Sequence, residues 1–169
     1  MRGQSGFEEF YEANYGRIVA LAAAVLGDRH QAEDVAQEAF TRALMRWPSV
    51  GGYDLPQAWV RRVALRLAVD TGRRAQRARR FSALLAAPGR EPPGGPDPLA
   101  STALSQALMR LPLRQREVLV LHYLADLPVE AIARDCGVPA STVKTRLVAG
   151  RRRLERELAE RPEEVRDAG

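Results

Sequence analysis

The chain has 169 residues with a formal net charge of +5; 46% of them are hydrophobic, only 6% aromatic. That length suits one ordinary domain or two small ones, and a composition led by alanine, leucine and arginine favours helices over sheet, so an all-α fold is the starting expectation. With no apolar run of about 18 residues, no signal-peptide order in MRGQSGFEEF, and a single cysteine (Cys136) beside His30 and His122, the expected protein is cytoplasmic, with no membrane span, disulfide, metal or cofactor.

Ser5 followed by Glu8 has capping-box spacing, and Phe7, Phe10, Tyr11, Ile18, Ala22, Val25 and Leu26 recur at helical intervals up to Gly27, so a first helix is expected from Ser5 to that glycine. Asp28 with Gln31 restarts the pattern. Ala32, Val35, Ala36, Ala39, Phe40, Ala43, Leu44 and Trp47 mark the buried face of a second helix that ends before Pro48. Residues 49–55, with Gly51 and Gly52 adjacent, read as a loop, and Pro56 opens a third helix. Its apolar stripe is Trp59, Val60, Val63, Ala64, Leu67 and Ala68. Residues 61–80 also hold eight arginines against one acid, Asp70. So many like charges on one helix repel unless an anion is present, which points to a polyanionic partner.

Residues 81–100 read as a linker, with five prolines between Pro88 and Pro98. Its length would allow two flanking domains to pack together and hide their basic faces. Beyond it, Leu104, Ala107, Leu108 and Leu111 suggest a short helix, LRQREVLVLHYLADL another, Pro128 opens a third, and a last one is expected from Ala140 to Leu158.

The segment VEAIARDCGVPASTVKTRLVAGRRRL has the layout of a helix-turn-helix. Small Ala133 permits a close helix crossing, Gly137 can take the positive φ of the turn, and Val138 plugs the angle between the helices. Ser141, Thr142, Lys144, Thr145 and Arg146 are left to meet bases and phosphates, and Arg151, Arg152 and Arg153 lengthen the phosphate contact.

That segment, preceded by LPLRQREVLVLHYLADLPVEAIA, resembles region 4 of the extracytoplasmic-function sigma factors of bacterial RNA polymerase, in the sigma-70 family. AEDVAQEAFTRAL resembles region 2.2, and PQAWVRRVALRLAVDTGRR resembles regions 2.3 and 2.4. The resemblance implies two small helical domains, residues 5–80 and 101–161, joined by a Pro/Gly-rich linker. It implies that Asp34, Gln37, Glu38, Phe40 and Leu44 dock on the clamp helices of the polymerase's largest subunit. Tyr53, Arg61, Arg62, Arg66, Arg73, Arg74 and Arg77 would meet the minus-10 element of promoter DNA, and Ser141, Thr142, Lys144, Thr145, Arg146, Arg151 and Arg152 the minus-35 element. It leaves open an anti-sigma factor as a further partner.

Two positions depart from the family pattern: Arg66, where many relatives carry asparagine, and Gly72, where a larger apolar residue is usual. Glycine inside a helix costs about 1 kcal/mol relative to alanine, so the helix is expected to weaken at Gly72 and the arginines beyond it to order only on DNA. Among other functions, a stand-alone helix-turn-helix regulator is the alternative. An enzyme is disfavoured, because no paired carboxylates, Ser-His-Asp set or metal cluster stands outside the helical motifs.

Overall fold

A computed structural model of the chain describes residues 2–85 and 102–160, with side chains described from residue 6 onward. Most of the predicted linker, from residue 86, and the Ser5 hydroxyl of the predicted capping box lie outside the described residues. Those residues hold helices and turns and no strand: α1 (Arg2–Leu26), α2 (Arg29–Met45), α3 (Trp47–Val50), α4 (Pro56–Leu85), α5 (Ala103–Arg110), α6 (Leu113–Leu119) running into a π-helical turn (Val120–Leu124), α7 (Val129–Cys136) and α8 (Ala140–Ala159).

The punctuation follows local chemistry. Gly27 takes φ +66° and its N–H donates to the Ala23 carbonyl at 2.8 Å, an αL stop for α1. Asp28 then caps α2, its carboxylate accepting from the Gln31 N–H at 3.0 Å. Three boundaries differ from expectation. Helix α1 already begins at Arg2 rather than Ser5. The second helix does end before Pro48, but Ser49 and Val50, expected in the loop, belong to the short α3, in whose first turn the missing N–H of Pro48 is harmless. Helix α4 does not weaken at Gly72 but runs through Leu85, five residues into the predicted linker. The reason is tertiary: a Cβ at Gly72 would lie 3.8 Å from Leu113 Cδ1 and 3.9 Å from Leu26 Cδ2, so the helix is packed there and not open to water.

Helices α1, α2 and α4 form the first bundle around Ile18, Ala22, Ala36, Phe40, Leu65 and Ala68, all nearly inaccessible. Alanines let the helices approach closely, and aromatic rings close one end. Phe7 meets Trp47 edge-on at 5.2 Å, and Tyr11 meets Phe40 edge-on at 4.9 Å. The second bundle packs α5–α8 around Val118, Leu121, Ile132, Val143 and Leu147. The two bundles are in contact, α1 against α5 and α4 against α6 and its π-helical turn, so their buried side chains form one continuous cluster.

Phe40 is 1% exposed at the centre of the first bundle. Phe40→Ala is therefore expected to lower stability by about 3–5 kcal/mol, read as an earlier urea midpoint with unchanged helical content before the transition.

Candidate functional surfaces

Three surfaces gather the residues singled out from the sequence. On α2, Asp34, Gln37, Glu38 and Leu44 are all exposed, Leu44 at 47%. Glu38 pairs with Arg42 at 2.7 Å, and Gln37 accepts from the Tyr11 hydroxyl at 3.3 Å. Asp34, Val35 and Glu38 face Leu67, Thr71 and Arg74 of α4 across a shallow groove. Phe40 does not belong to this surface. Its ring points inward against Phe10, Tyr11 and Tyr15, so any effect on docking is exerted through the packing of α2 and not by contact.

The arginines of α4 divide into two groups. Arg74 and Arg77 are exposed, Arg74 on the α2 groove. Arg61, Arg62, Arg66 and Arg73 are half-buried beneath the second bundle. Arg73 donates to both Glu117 carboxylate oxygens, from Nε at 2.6 Å and Nη2 at 3.0 Å, and Glu117 is only 5% exposed. This two-pronged bond raises the Arg73 pKa against the opposing effect of burial. Arg61 pairs with Asp126 at 2.6 Å and Arg66 with Asp135 at 2.8 Å. Arg62 donates to the Ala125 carbonyl at 3.4 Å. The anion that the arginine-rich helix calls for is here supplied by the chain itself. Tyr53, 49% exposed in the turn before α4, stands apart from this cluster in the open.

Cys136 ends α7 inside the same interface, with Arg73 Nη2 at 3.1 Å from its sulfur. Burial pushes the thiol pKa up, and the neighbouring Arg73 only partly offsets this.

The third surface is α8, with the turn before it built as expected. Gly137 takes φ +65°, its N–H donates to the Arg134 carbonyl at 3.3 Å, and the Val138 N–H donates to Ala133 at 3.1 Å, a Schellman stop. Val143, Leu147 and Gly150 face the core, leaving Ser141, Lys144, Thr145, Arg151 and Arg152 exposed and Thr142 and Arg146 half-exposed on the outer face. Arg151 is steadied by the Tyr123 hydroxyl at 2.9 Å, a contact from the π-helical turn that no local spacing indicated. Nor did spacing point to Glu117, Asp126 or Asp135, whose partners lie 44 to 69 residues away in sequence.

Comparison with known proteins divides the chain in the same way. Residues 10–78 match the family described as Sigma-70 region 2, and residues 101–154 the family described as Sigma-70, region 4. Similar curated proteins include the ECF RNA polymerase sigma factor SigW of Bacillus subtilis, 30% identical over 171 residues that cover 92% of this chain and 90% of SigW. The ECF RNA polymerase sigma factor SigE of Mycolicibacterium smegmatis is 31% identical over 168 residues, which cover 94% of this chain and 64% of SigE. In fold, the chain is similar to the sigma factor RpoE crystallised with the anti-sigma factor NepR from Bartonella quintana. That likeness has a TM-score of 0.56 and 23% identity over 90% of this chain and 96% of the other. It is also similar to CnrH in complex with the cytosolic domain of CnrY, with a TM-score of 0.50 and 23% identity over 93% and 90%.

The raised pKa leaves Cys136 less thiolate at any given pH than an exposed cysteine has. Iodoacetamide at pH 8 should thus alkylate it more slowly in the folded chain than in urea; equal rates would show that the interface does not shield it.

Proposed function

The chain belongs to the extracytoplasmic-function branch of the sigma-70 family and directs promoter-specific transcription initiation by RNA polymerase, and from that premise we propose how its surfaces divide the work. Residues 5–80 carry polymerase docking and minus-10 recognition, and residues 101–161 carry minus-35 recognition. The observation that carries this reading is the adjacency, within one bundle, of an exposed acidic helix face and a row of arginines, tied to a second bundle whose recognition helix faces outward.

On α2, Asp34 and Glu38 lie one turn apart beside exposed Gln37. Such carboxylates engage guanidinium or ammonium groups of a partner helix, while Leu44 and Met45, 47% and 79% exposed, add apolar area. Clamp helices of the polymerase's largest subunit are the partner assigned to this face.

On α8, Lys144 and Arg146 stand in the second turn of the recognition helix, where side chains reach base edges in the major groove. Arg151 and Arg152 lie about two turns further on and track the phosphates. The phosphate contacts set register and affinity, and the base contacts set sequence.

The α4 arginines act on the minus-10 element. Opening a duplex requires unstacking, which is offset when a base is captured outside the helix and the freed strand's phosphates are held by cations. In this reading Arg66 and Arg73, once freed from Asp135 and Glu117, hold phosphates, and Tyr53, exposed in the turn before α4, stacks with an extruded base.

This chain carries no part of the phosphodiester chemistry, which belongs to the polymerase core, and it works in the cytoplasm with that core. Since RpoE, which it resembles in fold, is held by an anti-sigma factor, a partner of that class is assigned to this chain as well. A free-standing DNA-binding regulator is less favoured, because it gives no role to the region 2 match over residues 10–78.

Run-off transcription with purified core polymerase on the chain's own upstream DNA tests the assignment. Wild type should give specific starts. Asp34→Ala with Glu38→Ala should abolish them through lost core binding, measurable separately by co-purification. Lys144→Ala with Arg146→Ala should keep core binding and weaken promoter affinity by about 1–3 kcal/mol per lost base contact. Tight promoter binding by the chain alone, without transcripts when core is added, would replace this reading with the regulator.

A further inference from the structure

We propose that the second bundle acts as an internal phosphate mimic, in which Glu117, Asp126 and Asp135 hold the arginine face of α4 closed until a nucleic-acid strand takes their place. This rests on the assignment of the α4 arginines to DNA and adds a control on when they can reach it.

Three carboxylates from three separate segments converge on one face of one helix: Glu117 from α6, Asp126 from the turn after the π-helical segment, and Asp135 from α7. Their partners Arg73, Arg61 and Arg66 span about 18 Å of helix axis at 1.5 Å per residue, a row of anions laid along the cations as a strand backbone would be. The main-chain carbonyl of Ala125 completes the row opposite Arg62.

The turn that supplies two of these groups is itself constrained. Asp126 has φ +54°, the only residue other than glycine with positive φ among the described residues. That conformation is uncommon for a side-chain-bearing residue, though Asp tolerates it better than most. It is held while its carboxylate meets Arg61 at 2.6 Å.

The fit is also incomplete, as a replaceable partner's should be. Among the described residues, the buried Nε atoms of Arg61 and Arg66 find no hydrogen-bond acceptor of good geometry, although Asp135 lies 2.8 Å from Arg66 Nε as an ion pair. A phosphate, with more acceptor oxygens free to turn, can satisfy donors that these carboxylates leave unmet.

Closure is selective. The α2 docking face and the outer face of α8 stay exposed, so core polymerase and minus-35 DNA can be engaged with the two bundles still together. Only the minus-10 arginines Arg61, Arg62, Arg66 and Arg73 are withheld. The free chain should accordingly bind single-stranded DNA poorly, and displacement by core and promoter would release the row where the strand is being opened.

The test compares full-length wild type with Glu117→Gln, Asp126→Asn, Asp135→Asn combined. It uses two measurements: small-angle X-ray scattering for the separation of the bundles, and fluorescence anisotropy with a short labelled single strand carrying the minus-10 sequence. Wild type should be compact and bind weakly; the triple variant should be larger and bind at least about tenfold tighter, since apparent affinity scales with the open fraction. Should loss of Glu117 prevent folding, Asp126→Asn with Asp135→Asn, both at the surface, should shift both measurements the same way by less. An expanded wild type, or an expanded variant with no gain in affinity, would overturn the proposal. Run-off transcription separates the two levels of inference. Specific transcripts from wild type with no gain on opening remove the latch alone. No transcripts, and no strand binding by the opened variant, remove the assignment of α4 to DNA and the latch with it.

Discussion

Eight arginines within twenty residues of α4 set the problem that the rest of this structure answers. A helix so charged can bury its apolar stripe, here Val60, Ala64, Leu65, Ala68 and Val69, only if the guanidinium groups beside that stripe meet anions or water. Arg73 and Glu117 supply the firmest answer, a two-pronged bond whose carboxylate is almost fully buried. The outer pairs, Arg61 with Asp126 and Arg66 with Asp135, are partly solvated, and exposed ion pairs are individually worth about 0–1 kcal/mol. An interface made of one firm pair and several weak ones can hold two small bundles together and still yield to a stronger polyanion.

Apolar packing also joins the bundles into one cluster, where the helices can approach. Gly27, needed for its positive φ, also accepts the end of Met109, whose Cε would sit 3.1 Å from a Cβ there. Gly72 lies beneath Leu113, and Arg116 reaches across to the Val25 carbonyl at the end of α1, at 3.2 Å. Burial lowers the Arg116 pKa, so that guanidinium is held at some expense of solvation and is positioned by the contact. These features join the end of α1 to the start of the second bundle without covering either the acidic face of α2 or the outer face of α8.

For a sigma factor this separation of surfaces matters more than the fold itself. Affinity for DNA from arginine and lysine alone is independent of sequence, so a chain with a fully open arginine row would be drawn to any nucleic acid it met. With three of the eight arginines occupied by carboxylates and a fourth by a main-chain carbonyl, the proposed latch leaves binding without polymerase to α8, whose proposed base-edge contacts would carry sequence information. The arrangement favours specific engagement first and strand capture afterwards.

The amino-acid sequence by itself determined the all-α class, the stops and caps at Gly27, Asp28 and Gly137, the turn before the recognition helix, and the outward face of α8. Each depends on side chains and backbone groups within about one helical turn of one another, and such relations are visible in spacing. Only the tertiary structure decided that α4 continues past Gly72 and that four of the arginines are paired with the second bundle, whereas the burial of Phe40 was already legible in the helical spacing of α2. Arg61 and Asp126 are 65 residues apart, and Arg73 and Glu117 are 44. No periodicity relates partners across a proline-rich connection, because the pairing is set by how two finished surfaces meet.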